Sequence, residues 1–327
     1  MAITAAALVP HPPLLVPELG RGASPGLDQL RSACRLAVSM ILDDVDALLV
    51  VGPAASWGEA EPGATGSLAP YGVAVTTRLP ILAPAVGAGG RAPTDGARAA
   101  SGAGPDPGTA GADPGTAGAD PGTAGADPGT AGADPGTAGA GPGWPGAVRG
   151  ARGPAPAEGD WLDRRDLPPG RLTELPLSLA VAGWLLSLQA GERPIPPLAA
   201  FGVPASMRVE QAAATGRTLA GAAPAGRHVG LLIMGDLSAR RTPKAPETFH
   251  PAAEEFDRQI ADAISKAELG RLLDADAGLA AELRVGGMAA LWLLAGALED
   301  AGGLRTEVLY EAAPFGVGYL VGVIEAR

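Results

Sequence analysis

The hexapeptide GDLSAR at residues 235–240 directly follows an apolar run, HVGLLIM. A buried strand that stops at Gly-Asp and turns into small polar residues delivers side chains to the space beyond the strand end, where function collects. Asp236 brings a carboxylate suited to pairing an arginine, and Ser238 a hydroxyl. Arg240, Arg241 and Lys244 place three cations within five residues. A guanidinium forks onto carboxylate or phosphate oxygens, so this cluster reads either as a solvated basic loop or as an anion site. Ala239 brings no chemistry at all. A second candidate is His11, one of three histidines, set between prolines in VPHPP. It reads either as a hydrogen-bonded structural residue or as a site residue on a stiffened loop. A third is PAASW at 53–57, where Ser56 and Trp57 follow another apolar run, DALLVVG.

These stretches need elements to carry them. Ile3 to Val9 reads as a buried strand. Ser24-Pro25 then marks a helix start, with proline at its first position. Leu27, Leu30, Cys34, Val38 and Ile41 recur at helical spacing as far as about Leu42. Asp46 to Gly52 is a second buried strand, and GPAASWGEAEPG reads as a loop. Strand, helix, buried strand is the pattern of a parallel α/β unit. Further on, Leu177 to Leu188 is an apolar helix stopped by Gly191, and Val229 to Met234 is a third central strand. Pro251 starts a helix with Glu254 and Glu255 in its first turn, where the macrodipole favours acids. Its inner face is Phe256, Ile260, Ile264 and Ala267. Met288, Leu291, Trp292, Ala295 and Leu298 form another helical face, closed by Gly302-Gly303, and strands around Val308–Tyr310 and Gly318–Ile324 close the chain. The expected fold is a three-layer α/β single domain with a mostly parallel central sheet, made of residues 1–85 and 158–327. Its site lies at the carboxyl ends of the strands.

Between the two parts lies 86–157, dominated by Gly, Ala, Pro, Asp and Thr. Residues 105–139 are five heptads, PDPGTAG and then ADPGTAG four times. Proline and glycine in every heptad rule out a coiled coil. With Ala and Thr as the largest apolar groups, the segment cannot bury enough surface to offset its ordering entropy, so it reads as a disordered insertion. One Asp per heptad is too few for calcium loops. Without the insertion, roughly 250 residues remain, enough for one large core. The net charge of −11 argues against nucleic acid as a partner. The single cysteine, Cys34, permits no internal disulfide and fits a reducing compartment, where it packs on a helix face. The apolar N-terminus lacks a basic leader and is rich in proline, so no signal peptide is expected. No uninterrupted apolar run is long enough to span a membrane. The expected location is cytoplasmic.

VPHPPLLVPELG at 9–20, GDLSAR at 235–240 and PFGVGYLVGV at 314–323 together resemble the LigB-like superfamily of class III extradiol ring-cleavage dioxygenases. This superfamily includes MEMO-type proteins, and the likeness is strongest to its bacterial LigB-like branch. The resemblance covers both ends of the domain and excludes the insertion. It implies non-haem Fe(II) held by two His and one Glu, with open positions for a catechol and O₂. It also implies a further His acting as acid and base. Carried over, His11 matches the first iron ligand. The second is expected where the chain reads Pro53–Trp57 without a histidine. Met288, ahead of Trp292, occupies the carboxylate position. Ala239 stands where the acid/base histidine follows Asp-Leu-Ser, so GDLSAR resembles the family's GDLSH turn with its catalytic side chain removed.

His228 precedes its strand and should lie at the opposite end from the turn. His250 follows a loop with two prolines and would have to fold back. Glu59 and Glu61, past the second strand, are possible substitute ligands but read more simply as surface residues. Three function classes follow. The first is a LigB-like protein with a degenerate iron site that binds a small anionic or aromatic ligand, or a partner, at the strand ends. The second is an active Fe(II) dioxygenase with substituted ligands. The third is a metal-independent enzyme using His11, Asp236 or Ser238. The first expects no cofactor, and a homo-oligomer is possible for any of them. If Ile3–Val9 and Val229–Met234 are neighbouring parallel strands, as the resemblance also implies, His11 lies within about 10–12 Å of Ser238, roughly two strand steps, with Ser56 or Trp57 on a third wall. Because loop-closure cost grows only as the logarithm of length, excising the five heptads should leave the calorimetric melting temperature nearly unchanged. A drop of several degrees would mean that the segment packs on the domain.

Overall fold

The computed structural model describes residues 3–19, 25–81 and 161–326. The stretch 86–157, expected to be a disordered insertion, lies outside the described residues. The strands are β1 (Ile3–Val9), β2 (Ala47–Ala54), β3 (Gly58–Ser67), β4 (Thr76–Arg78), β5 (Arg171–Glu174), β6 (Leu198–Pro204), β7 (Val229–Met234), β8 (Leu304–Ala312) and β9 (Tyr319–Ala326). The helices are α1 (Pro25–Leu42), α2 (Leu177–Ala190), α3 (Val209–Ala222), α4 (Ala253–Ser265), α5 (Ala277–Glu282) and α6 (Met288–Ala297).

All nine strands form one sheet in the order β4-β3-β6-β2-β7-β1-β9-β8, with β5 beside β3. Every residue of β7 is buried. Such two-sided burial demands a central strand with helices on both faces. It pairs in parallel with β1, Val9 opposite Met234, and with β2, Val51 opposite Ile233. The alternation of side chains then divides the core. Leu49, Val51, Leu231 and Ile233 pack with α3, α4 and α6, while α1 and α2 lie against β1, β9 and β2. This is the three-layer α/β architecture expected from sequence.

Parallel pairing is confined to the centre, β6-β2-β7-β1, and to the β3–β5 pair. The flanks are antiparallel, β9 on β1 and β8 on β9, β3 on β6 and β4 on β3. The stretch read as a loop becomes β3 from Gly58 onward. GEAEPGATGS has three glycines, a proline and one β-branched residue, so its strand character comes from pairing with β6 rather than from propensity. The small-residue elements β6 and α3 were likewise silent in sequence, as were β4, β5 and α5. Helix α4 begins at Ala253, not at Pro251. Ala267 falls beyond its end with φ 58°, off the inner face. Helix α6 is buried all round and ends at Ala297, short of Gly302-Gly303. Among the described residues no helix is long and apolar enough to cross a membrane.

Helices α3 and α6 cross at glycines on both sides. A Cβ at Gly296 would stand 2.1 Å from the Ala213 carbonyl oxygen, and one at Gly216 2.1 Å from that of Leu293. Backbone atoms cannot retreat from such contacts as a flexible side chain would. Gly296→Ala should therefore lower stability by about 3 kcal/mol in urea denaturation, as overpacking does. Gly303→Ala, where a Cβ meets nothing within 4 Å, should change it by less than about 0.5 kcal/mol.

Candidate functional site

Because β1 and β7 are neighbours in parallel register, their carboxyl ends emerge side by side. The pairing continues one step past the ladder, where the Gly235 N–H donates to the Val9 carbonyl at 3.0 Å. The chain then approaches a second segment closely. A Cβ on Gly235 would sit 2.8 Å from Gly287 Cα, and the Gly287 N–H donates to the Asp236 carbonyl at 2.8 Å. With its backbone so held, Asp236 turns its carboxylate to β1 and accepts the His11 backbone N–H at 2.8 Å, across 225 positions of sequence. His11 Nδ1 lies 3.5 Å from the same Oδ1, with the two side chains 11% and 21% exposed. That contact is within ion-pair range, but its alignment makes no hydrogen bond, and Nδ1 is buried with no other partner among the described residues. Thus His11 and Asp236 share one edge, at the ends of two neighbouring parallel strands.

Ser238 does not join them. It is fully buried on the far side of the turn. Its N–H donates to Asp257 Oδ1 at 3.0 Å, and its hydroxyl donates to the Leu283 carbonyl at 3.3 Å while accepting the Arg240 N–H at 3.2 Å. Its place in the chemistry is therefore structural. The basic cluster also needs correction as a ligand-binding set. Arg240 donates from Nε to the Thr248 carbonyl at 2.6 Å and from Nη1 to that of Glu282 at 2.9 Å. Arg241 donates from Nη1 to Asp257 Oδ2 at 3.1 Å, and its Nη2 lies 3.5 Å from Glu254. Both guanidinium groups hold the turn and its following loop together. Lys244 is exposed on that loop.

Ser56 and Trp57 are not a third wall of the His11 edge. The β2–β3 turn carries them over β6, so that β6 and β2 separate β3 from β7. Ser56 is exposed there. Trp57 stacks on Phe201 with ring centroids 5.5 Å apart and donates to the Pro168 carbonyl at 2.9 Å. Glu59 grips Arg164 at 2.7 Å and Glu61 lies 3.8 Å from Arg171, both on β3. His228 stands at the amino ends of the strands, its N–H donating to Asp46 at 3.0 Å. His250 does fold back, donating its N–H to the Arg240 carbonyl at 3.0 Å. Its ring is engaged, however. Nδ1 accepts the Ala252 N–H at 3.2 Å, and Nε2 lies 3.2 Å from Glu282.

Two residues that sequence spacing did not single out organise this region. Asp257, on α4, is fully buried and bridges Ser238 and Arg241. The Gly318 N–H donates to the Ser238 carbonyl, and a Cβ on Gly318 would stand 2.1 Å from the Asp257 carboxylate. Burial pushes this carboxyl up to about 6, against the lowering effects of the Ser238 N–H and the Arg241 guanidinium. A signal existed, because Asp257 sits on the apolar stripe beside Phe256 and Ile260. Tyr319, 3% exposed, opens β9. Burial raises its phenol above the ordinary range, as does the Asp236 charge and then Tyr310. The buried Cys34 thiol is raised likewise, by burial and then by Asp236.

For the Fe(II) that the resemblance implies, the donors at this edge are His11 and Asp236. Met288 begins the buried helix α6, and Ala239 and 53–57 supply none. Among the described residues, no group of three His, Cys, Asp or Glu is placed to hold a metal ion. These residues do not make up the family's ligand set. Neither a family model nor a curated protein matches the chain. Among solved structures, the uncharacterized protein JW3007 of Escherichia coli K12 is similar over 99% of this chain and 100% of its own, at 14% identity and a TM-score of 0.48. A likeness at that level carries no argument about function.

Asp257 sets a pH dependence whose sign follows from its environment. Its carboxyl titrates at 3.8 when unperturbed and at about 6 in the fold, so the native state binds the extra proton between these values. Its contribution is most favourable below about pH 4 and is lost as pH rises through 6. From pH 4 to 7, wild type should lose up to about 3 kcal/mol relative to Asp257→Asn, in urea unfolding across that range.

Proposed function

We propose that the chain binds a small ligand through carboxylate or hydroxyl oxygens at the β1–β7 edge, and that LigB-type iron chemistry is not its reaction. The observation that carries this reading is the double hold of Asp236 on His11. The backbone N–H is bonded at 2.8 Å and Nδ1 is turned to the same oxygen at 3.5 Å. The imidazole is thereby oriented, and Nε2 is the ring nitrogen that no described residue takes up. The arginines expected to meet an anion are engaged by protein acceptors, so recognition falls to His11. Small carboxylic acids, aromatic ones included, fit a single imidazole better than a phosphate does, since among the described residues no free guanidinium fork faces this edge.

The test uses protein stripped of metal with chelator, titrated calorimetrically with benzoate, 4-hydroxybenzoate and pyruvate. Saturable binding without metal is expected. A hydrogen bond to a charged group contributes about 1.5–3 kcal/mol, so His11→Gln should weaken it at least about tenfold. Arg240→Lys should leave it within about twofold. One iron bound firmly per chain and lost in His11→Ala would overturn the reading.

A further inference from the structure

We infer that His11 and Asp236 act as a base and its positioning residue for proton transfer, with Tyr319 as the facing acid, and that the molecules acted on are small enolisable carbonyl compounds. This rests on the binding reading above and adds a reaction to it.

The first observation is the buried Nδ1, which has no hydrogen-bond partner among the described residues while Asp236 Oδ1 stands 3.5 Å away. Of the groups around it, the carboxylate is the acceptor within reach. It favours the tautomer with the proton on Nδ1, in which the Nε2 lone pair points outward as a base; a bound carboxylate instead requires the ring protonated at both nitrogens, so Nε2 serves proton transfer and carboxylate binding in alternate protonation states. Catalytic contacts of this kind are commonly long without substrate and tighten on binding. The second observation is how firmly the pair is held. Asp236 is anchored by its own carbonyl to the Gly287 N–H and by its carboxylate to the His11 N–H. The residues therefore ride on two adjacent strands of the central sheet and need little reorganisation.

The third observation is what faces them. Strand β9 runs antiparallel to β1 with Leu8 opposite Gly322, so Tyr319, three residues earlier, stands level with the chain just beyond Val9. Its phenol feels the Asp236 charge and is kept protonated by burial, which makes it a hydrogen-bond donor. Cys34, also in this neighbourhood, is fully buried on α1 and its thiol is pushed up, so it is no nucleophile. A neutral base opposite a neutral donor is what enolisation requires. His11 Nε2 takes the α-proton, the C–H electron pair becomes the C=C bond, and the carbonyl π pair moves onto oxygen, where the Tyr319 O–H stabilises it. Return of the proton to carbon closes the cycle without any oxidant or reductant.

The experiment follows deuterium incorporation into the methyl groups of pyruvate and acetoacetate in D₂O by proton NMR, with metal-stripped full-length protein. Saturation-transfer spectra of the same samples report binding. Exchange at least tenfold above buffer is expected, falling to the buffer rate in His11→Gln. Exchange should fall at least tenfold in Asp236→Asn and in Tyr319→Phe, and Tyr319→Phe should keep saturation transfer. With three histidines in the chain, long-range nitrogen-15 spectra should show His11 as the Nδ1–H tautomer in wild type and as a mixture in Asp236→Asn. Saturation transfer with exchange at the buffer rate, or exchange surviving His11→Gln, would overturn the proton-transfer inference and leave the binding reading intact. Absence of saturation transfer from both probes, together with calorimetric silence toward benzoate, would overturn both.

Discussion

The parallel pairing of β1 with β7 is the constraint from which the rest follows. Val9 opposite Met234 puts the two chain exits at one level. A register slip of one residue would turn every side chain of the strand to the other face. Since β7 is buried on both sides and bonded on both edges, a slip would have to break two ladders and repack both faces. The meeting of His11 with Asp236 is thus secured by the pairing and two-sided burial of the central strands, and the polar contact itself contributes only the final orientation.

A buried carboxylate does comparable work behind the turn. Asp257 gives up hydration entirely, which would be costly for a lone charge. It is tolerated because a backbone N–H and a guanidinium meet its two oxygens. The same pair explains why Arg241 is drawn inward, away from any ligand. Arg240 closes the loop from the other side through two carbonyls. The GDLSAR turn is therefore a braced element whose polar residues mostly serve the brace. Asp236 is the one that looks outward to the strand end.

Position 239 is alanine, so the turn itself brings no imidazole to this edge. At the β2 end Ser56 is exposed and Trp57 stacks on Phe201 of β6. The polar chemistry contracts to the two strands that are already adjacent.

Much of the frame was legible in sequence. Ile3–Val9 and Val229–Met234 stand out as apolar runs bounded by Pro-His-Pro and Gly-Asp, and α1 shows clean helical periodicity. They coincide with the observed elements because burial on both faces leaves a run with no polar interruption. The strand ends that carry His11 and Asp236 were visible for the same reason. What stayed hidden were elements made of small residues, β3, β6 and α3. Their glycines and alanines have weak preferences of their own and take their form from neighbours, as where Gly216 and Gly296 let two helices touch. Composition and periodicity determined which segments are buried and where the polar turns fall. Only the tertiary structure decided that Arg240 and Arg241 belong to the protein's own carbonyls and carboxylates, that Ser238 faces the core, and that Asp236 meets His11. The physical reason is that pairing among polar groups depends on who stands within about 3 Å, and sequence spacing does not carry that distance across a sheet.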